Sequence, residues 1–458
     1  MEQRPMQRQA TEVEAPTTSV NGASGRTVVE GATGGGGFGG GGGHGGGLTR
    51  DMMNLRTFSS LKNPVFRLYF GAMAGWMAAM NTKMVARSLL IYLVSGSATV
   101  LGLMALANSI PMLFFSLFGG VLADRVQKKH VLLVGIFFSG VIAVATGLCI
   151  TLGFLGPEHP GSWWILIVAA LAEGTVQGLM LPSRQAMIAE IVPQEQLMNA
   201  VALNTFEMNL NRMMMPALGG FFIDAFGFDK IYYVMAAMYL VSAIFMIMTP
   251  RTSTISLRGR GAWGEMKDGF TYVRSQPTIL AILGITFFIV LLSSPYMSLL
   301  PIFTKDILNV GAGGFGTLIS VSGIGALVGS IVLASLPNRW RGALLILGSA
   351  FLGLALVAFS FSTVWTFSLF MMLFVGLGQT VRMTLGNTLL QYYVDNDYRG
   401  RVMSLYMMEF GLTSAGTFVA ALCADFIGVQ WSVGGLALLL VVICMLTFVF
   451  VPRLRNLD

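Results

Sequence analysis

The chain has 458 residues, 55% of them hydrophobic and only 11% charged, with a formal net charge of +7 and a mean hydropathy of +0.73. A soluble domain carries about 25% charged residues, so a chain this poor in charge cannot cover a water-facing surface and is expected to sit in a bilayer. The positive excess follows loop topology, as set out below, and implies no nucleic-acid partner. Cys149, Cys423 and Cys444 lie in apolar runs and imply no disulfide framework; His44, His130 and His159 lie in the tail or in loops, so no His-rich metal centre can form inside the membrane region.

Residues 1–55 have a composition of their own, with Gly31–Gly47 reading GATGGGGFGGGGGHGGG. Such a stretch cannot bury a core and is expected to be a disordered cytoplasmic tail. It carries no apolar run of the secretory-signal kind and no lysine-bearing phosphate loop, so no nucleotide and no other cofactor is expected. From Phe66 onward, apolar segments follow one another at 66–94, 98–123, 130–152, 163–190, 197–224, 230–249, 279–301, 312–336, 342–361, 364–394, 401–426 and 430–451. Each approaches or exceeds the ~20 residues that cross a bilayer as a helix, and unbroken runs of this length mean helices. An all-α membrane protein with twelve transmembrane helices is expected.

Orientation follows from the basic residues. Loops after the even-numbered segments hold Arg125, Lys128, Lys129, Arg251, Arg258, Arg260, Lys267, Arg274, Arg339, Arg341, Arg399 and Arg401, whereas the alternate loops hold only Lys230 and Lys305. The first set is therefore expected on the cytoplasmic side, with both termini. Trp163, Trp164, Tyr232 and Tyr233 then fall at the outer interface.

Between the second and third segments, residues 119–132 read GGVLADRVQKKHVL. The pattern G-x-L-A-D-R-x-x-K-K-x-x-L resembles the signature loop of the major facilitator superfamily, although Gln127 stands where that family usually has glycine. The resemblance implies two six-helix halves and alternating access. It also implies that Gly120, Asp124, Arg125, Lys128 and Lys129 form a latch at the cytoplasmic helix ends, with the aspartate reaching a neighbouring helix end.

The long loop at 251–278 divides the helices into halves at 60–250 and 279–455. It reads as an amphipathic helix on the inner membrane surface, with Trp263, Met266, Phe270 and Val273 on one face. An internal repeat supports the division. At an offset of 202 residues, Gln177 matches Gln379, Val192 matches Val394, Glu195 matches Asp397, Leu203 matches Leu405 and Glu207 matches Glu409.

Ionisable groups within a bilayer cost about 2.5–3.5 kcal/mol each on insertion scales, so they face a cavity or a partner. Trp76, Met80, Lys83 and Arg87 fall within about 60° of arc on the first helix. Glu173, Gln177, Met180 and Arg184 form a stripe on the fourth, Asn204, Glu207 and Asn211 on the fifth, and Tyr406, Glu409 and Thr413 on the eleventh, while Gln379 and Arg382 lie on the tenth. In the resembled fold, the first, fourth, seventh and tenth helices line a central cavity, so the stripes are expected to converge as a substrate site. Glu207, then Glu409, then Glu173 are the candidates for proton coupling, since a carboxylate in a partly dry cavity can exchange a proton near neutral pH. Each of these charges has an alternative role as a helix–helix clamp. Asp224 and Asp425 close the fifth and eleventh helices and read as solvated ends.

Pro216, preceded by Arg212 and followed by Ala217-Leu218-Gly219-Gly220, resembles the helix-five motif of superfamily exporters. Pro182-Ser183-Arg184-Gln185-Ala186 together with Asn199–Asn204 is similar to the bacterial exporter branch containing enterobactin-exporter-like and macrolide-efflux-like proteins. The resemblance implies a monomeric inner-membrane transporter that exports a small amphipathic, siderophore- or drug-like molecule by proton antiport. Five intramembrane cations (Lys83, Arg87, Arg184, Arg212, Arg382) against three carboxylates (Glu173, Glu207, Glu409) favour an anionic or neutral cargo. An importer of a small organic anion is the rival within transport, and a non-transporting receptor or scaffold the rival outside it. An enzyme would need a nucleophile–base pair or a ligand cluster, and neither is present in the helices.

Overall fold

The computed structural model describes residues 56–251, 262–337 and 339–457. The tail expected over 1–55 and the basic run at 252–261 lie outside the described residues, as do the side chains of Asp124, Trp263 and Met266. Among the described residues the regular elements are all helical.

The first half of the chain holds α1 (Pro64–Ser95), α2 (Ala98–Arg125), α3 (Lys128–Thr151), α4 (Trp163–Ile191), α5 (Gln194–Phe226) and α6 (Phe228–Met248). A short helix, α7 (Ala262–Ser275), precedes the second half. That half holds α8 (Pro277–Ser293), α9 (Pro295–Ile302), α10 (Ala312–Ser335), α11 (Arg341–Ser360), α12 (Trp365–Tyr393), α13 (Arg399–Tyr406), α14 (Glu409–Ile427) and α15 (Val429–Phe450).

Local chemistry sets the boundaries. The Asn63 side chain accepts hydrogen bonds from the Val65 and Phe66 amides at the start of α1, and Gly96 ends that helix at φ 64°. Ten spans are long and apolar enough to cross a bilayer by composition. The other two, α1 and α5, run for 32 and 33 residues but are diluted by Lys83, Arg87, Glu207 and Arg212. A helix that lines a polar interior does not need an apolar circumference. Large apolar side chains such as Phe137, Leu240, Ile331 and Phe450 stand more than half exposed around the outside, as the surface of a bilayer-embedded protein requires.

Two spans differ from the unbroken helices expected. The seventh is divided at Ser294 into α8 and α9, and a π-helical turn over Phe303–Ile307 follows. The eleventh is divided at Met407–Met408 into α13 and α14. Pro295 and Pro301 explain the first break, because proline removes a backbone donor and crowds the preceding turn. Irregular backbone at membrane depth is tolerated where it lines a cavity, and both breaks do so.

Packing runs within and across the halves. Helices α2 with α4, α3 with α6 and α1 with α6 build the first half, and α10 with α12 and α11 with α15 build the second. Across the halves, α5 lies along α10 and α2 along α14. The α5–α10 seam depends on glycine: a Cβ at Gly316 would stand 2.0 Å from the Pro216 carbonyl oxygen. At α7 the expected single apolar face is split. Val273 is buried and Phe270 is 60% exposed, because the helix packs on α13 with Gly269 against Arg401, and Tyr272 stacks on Tyr398 at 4.1 Å.

Candidate functional site

The breaks in the seventh and eleventh spans open onto one cavity of about 330 Å³. Ser294, Tyr296, Met297 and Ser298 come from the α8–α9 junction, Tyr406, Met407, Glu409 and Thr413 from the α13–α14 junction, Gln379, Thr380 and Arg382 from α12, and Arg212 from α5. Arg382 forms a salt bridge with Glu409, and its Nε donates to Gln379 Oε1 at 3.0 Å. The Tyr406 hydroxyl is buried beside the Glu409 carboxylate. The structure thus brings Gln379, Arg382, Tyr406 and Glu409 together, as the sequence led one to expect. It adds Tyr296 and the α8–α9 serines, which only the Ser-Ser-Pro run at 293–295 foreshadowed.

The first-half stripes are placed differently. Lys83 and Glu173, 7% and 2% exposed, form a salt bridge inside the bundle; Lys83 also donates to the Tyr239 hydroxyl at 3.2 Å, and Ser139 of α3 donates to Glu173 at 3.2 Å. Gln177 reaches the same carboxylate at 3.5 Å. Arg87 is half-buried nearby, with Nε and Nη1 unpartnered. Met180 is buried against Gly135 of α3, and Met80 packs on the core. The α4 stripe therefore turns toward α1 and α3 within the first half, and Lys83 and Glu173 do not edge the open cavity. Periodicity identifies a face of a helix but not the neighbour that the face meets.

A second group gathers around α5. Glu207 is 4% exposed; its Oε1 accepts from Asn211 at 2.6 Å and its Oε2 has no partner. The cation acting on it is Arg184, which forms no ion pair with it and lies 5.1 Å from the ring of the buried Trp76. Asn204 is half-buried on the same helix.

At the basic end, the loop between α2 and α3 is anchored within the first half. Lys128 pairs with Glu190 of α4, and Lys129 donates to the Ile247 carbonyl at 2.7 Å and to the Thr249 carbonyl, closing the C-terminus of α6. Arg125 is exposed, and the side chain of Asp124 lies outside the described residues. Space is open around Gly120, and Gln127 has φ −57°, so the residue that replaces the family glycine meets no left-handed turn.

At the opposite end, Asp425 of α14 accepts from the Ala98 and Thr99 amides and the Ser97 hydroxyl, each at 2.9 Å. Asp224 of α5 accepts from the Ala312 and Gly313 amides at 2.9 and 2.7 Å. Each carboxylate, expected to be a solvated helix end, caps a helix of the other half. Tyr92 adds a hydrogen bond to Asp306. Tyr232, expected at the interface, is turned inward at 3% exposure, while Trp164 stays 58% exposed.

Broken helices around a charged mid-depth cavity, within twelve membrane-length spans, define a transporter of the major facilitator superfamily and not an enzyme. The chain belongs to the family described as transmembrane secretion effector, which matches residues 55–458. It is 23% identical to the staphyloferrin A transporter of Staphylococcus aureus, covering 79% of this chain and 90% of that protein. Against macrolide efflux protein A of Streptococcus pyogenes it is 23% identical, over 85% and 97% of the two chains. Against the enterobactin exporter EntS of Salmonella choleraesuis it is 26% identical, over 78% and 84%. Among solved structures, an inward-facing, unoccupied bacterial homologue of the human lysosomal transporter Spinster shares the fold. The TM-score is 0.66 at 13% identity, covering 86% of this chain and 98% of that one. The D-xylose-proton symporter aligns at a TM-score of 0.64 and 12% identity, over 86% and 100%. The protein is thus a multi-pass membrane transporter.

Proposed function

We propose that this protein is a monomeric secondary exporter of the inner membrane that moves a small, acidic, amphipathic molecule outward in exchange for protons. The observation that carries the reading is the cavity's charge: two guanidiniums, Arg212 and Arg382, face one carboxylate, Glu409, among aromatic, thioether and hydroxyl groups. That lining favours a flat or bulky cargo bearing negative charge or many oxygen acceptors, and disfavours a dication. The kinship with siderophore transporters points the same way.

The basic end is read as cytoplasmic, with both termini there, by the loop-charge bias. The caps made by Asp224 and Asp425 then seal the outer side, and the molecule is inward-facing. Residues 60–250 and 279–455 act as the two rocking halves, 251–278 as their linker and 1–55 as a cytoplasmic tail. Trp76, Met80, Lys83, Arg87, Gln177, Met180, Arg184 and Asn204 would join the cargo surface only after the halves move. Gly120, Asp124, Arg125, Lys128 and Lys129 form the inner latch.

Glu207 is the proposed coupling residue. Glu173 and Glu409 each lose an ion pair on taking up a proton; Glu207 loses none, and its Oε2 is free to carry it. The test uses everted membrane vesicles with an imposed inward-acid gradient and radiolabelled 2,3-dihydroxybenzoate, with a neutral macrolide and a dicationic dye as comparators. The acid should accumulate, and Glu207→Gln should abolish accumulation while sparing counterflow exchange. Uphill accumulation by Glu207→Gln equal to the parent would sink the coupling assignment. Preference for the dication would sink the cargo class.

A further inference from the structure

Arg212 lies in the middle of α5, eighteen residues from the first residue of the helix, Gln194, and so about 27 Å along its axis. An arginine at that depth is expensive unless it meets a partner or water. Arg212 is exposed, and none of the ion pairs among the described residues uses it. The second-half cation at this level, Arg382, is held by Glu409. Among the described residues Arg212 is therefore a charge held in no ion pair, facing open space.

That space is a second cavity of about 670 Å³, running between α5, α10 and α12 toward the basic end and reaching Arg399. It joins the central cavity, since Arg212, Ala326, Thr380 and Met383 line both. Its wall carries Asn209 of α5 and Thr384, Asn387 and Gln391 of α12. Among the described residues its charged lining groups are Arg212 and Arg399, and none is a carboxylate. A seam that merely faced lipid would be apolar, as the α3–α6 groove lined by Phe137, Val141, Val144 and Leu240 is. Amides and hydroxyls along a passage bounded by two unpaired arginines suit an anion that must shed water gradually.

We propose that the groove between α5, α10 and α12 is the path by which an acidic amphipathic cargo reaches the central cavity, with Arg212 as the cation that holds its anionic group midway and passes it to Arg382. This rests on the acidic-cargo reading above and adds the route and the anchoring residue. The shared chemistry, an anion on Arg212, also admits an anionic lipid headgroup, so the test separates the two sources.

Binding of 2,3-dihydroxybenzoate to the purified full-length chain is measured by calorimetry and stopped flow. The protein is held in neutral detergent, in phosphatidylcholine nanodiscs, or in nanodiscs containing phosphatidylglycerol. Loss of a charge-assisted contact predicts a fall in affinity of about ten- to a hundredfold for Arg212→Gln, with most of it restored in Arg212→Lys. Met208, 37% exposed on the groove wall, supplies a variant that keeps the arginine: Met208→Trp narrows the path and should slow association and dissociation by the same factor, about tenfold or more, at unchanged affinity. Equal affinity in Arg212→Gln, or unaltered association in Met208→Trp, overturns the proposal while the acidic-cargo reading stands. Arg212-dependent binding of phosphatidylglycerol that excludes the acid assigns the groove to lipid and overturns it too. Failure of the parent protein to bind or export any acid removes the cargo reading, and the groove assignment with it.

Discussion

Charge counting inside the first half makes an asymmetric stability prediction. Lys83 and Arg87 present two positive charges to the single carboxylate of Glu173, all within the bundle of α1, α3, α4 and α6. Lys83→Met leaves Arg87 and Glu173 balanced, one to one, and loses mainly the ion pair and the bond to Tyr239. Glu173→Gln leaves two cations one helical turn apart with no anion. At a separation of about 6 Å and an effective dielectric near 20, their repulsion is about 3 kcal/mol, in line with the 3–5 kcal/mol typical of breaking a buried pair from one side. The double variant carries one unbalanced cation and should fall between. The expected melting order in detergent is therefore parent, Lys83→Met, double variant, Glu173→Gln. If each six-helix half melts as a unit, the last should drop by about 5–10 °C. A Lys83→Met protein that melts as low as Glu173→Gln would refute the charge count and leave the hydrogen-bonded geometry of the pair as the source of stability.

Three further outcomes are expected. Asp425→Ala and Asp224→Ala each remove a cap across the halves, about 1–3 kcal/mol with the helix-dipole contribution, and should speed labelling of a cavity cysteine at Met297 from outside by about fivefold or more; unchanged labelling means the outer seal lies elsewhere. In a cysteine-free background, Gly161→Cys, at an exposed and open position, should react with an impermeant thiol reagent on intact cells and Asp397→Cys only after lysis, and the reverse pattern would invert the topology. Gly316→Val drives a side chain into the Pro216 carbonyl, so export should fail at normal membrane expression; normal flux would mean the α5–α10 seam opens wider than this conformation.

The helices were legible because hydropathy and length are local properties, and the loop at 119–132 could be placed between two of them because its residues are contiguous. The joints between elements were not. Pro295 marks the break of the seventh span, but Met407 and Met408 are ordinary helix formers, and nothing in their local sequence announces the break above Glu409. Asp425 looks like a solvated terminus until α2, more than 300 residues earlier, is seen to begin against it. The α4 residues share one face, but its direction depends on Ser139 and Gly135 of α3, which supply the bonding and the room for Glu173 and Met180. Convergence of Gln379, Arg382, Tyr406 and Glu409 was predictable because α12 and α13–α14 are consecutive in chain and space.

Positions matched at the 202-residue offset stand in unlike environments in the two halves. Glu207 and Glu409 occupy matched positions at an offset of 202, yet the residue matching Arg382 is Met180, and the residue matching Arg184 is Gly386. Moving the arginine one turn along the helix moves it from ion-pair distance to mere electrostatic reach. The second-half carboxylate is thereby fixed on Arg382 at the cavity wall, while its first-half counterpart rests on an amide with an oxygen unused. Two equal pairs would compete for the same proton and cargo. Under the proposed exchange, the paired carboxylate answers to cargo and the unpaired one to the proton, and rocking of the halves links the two events.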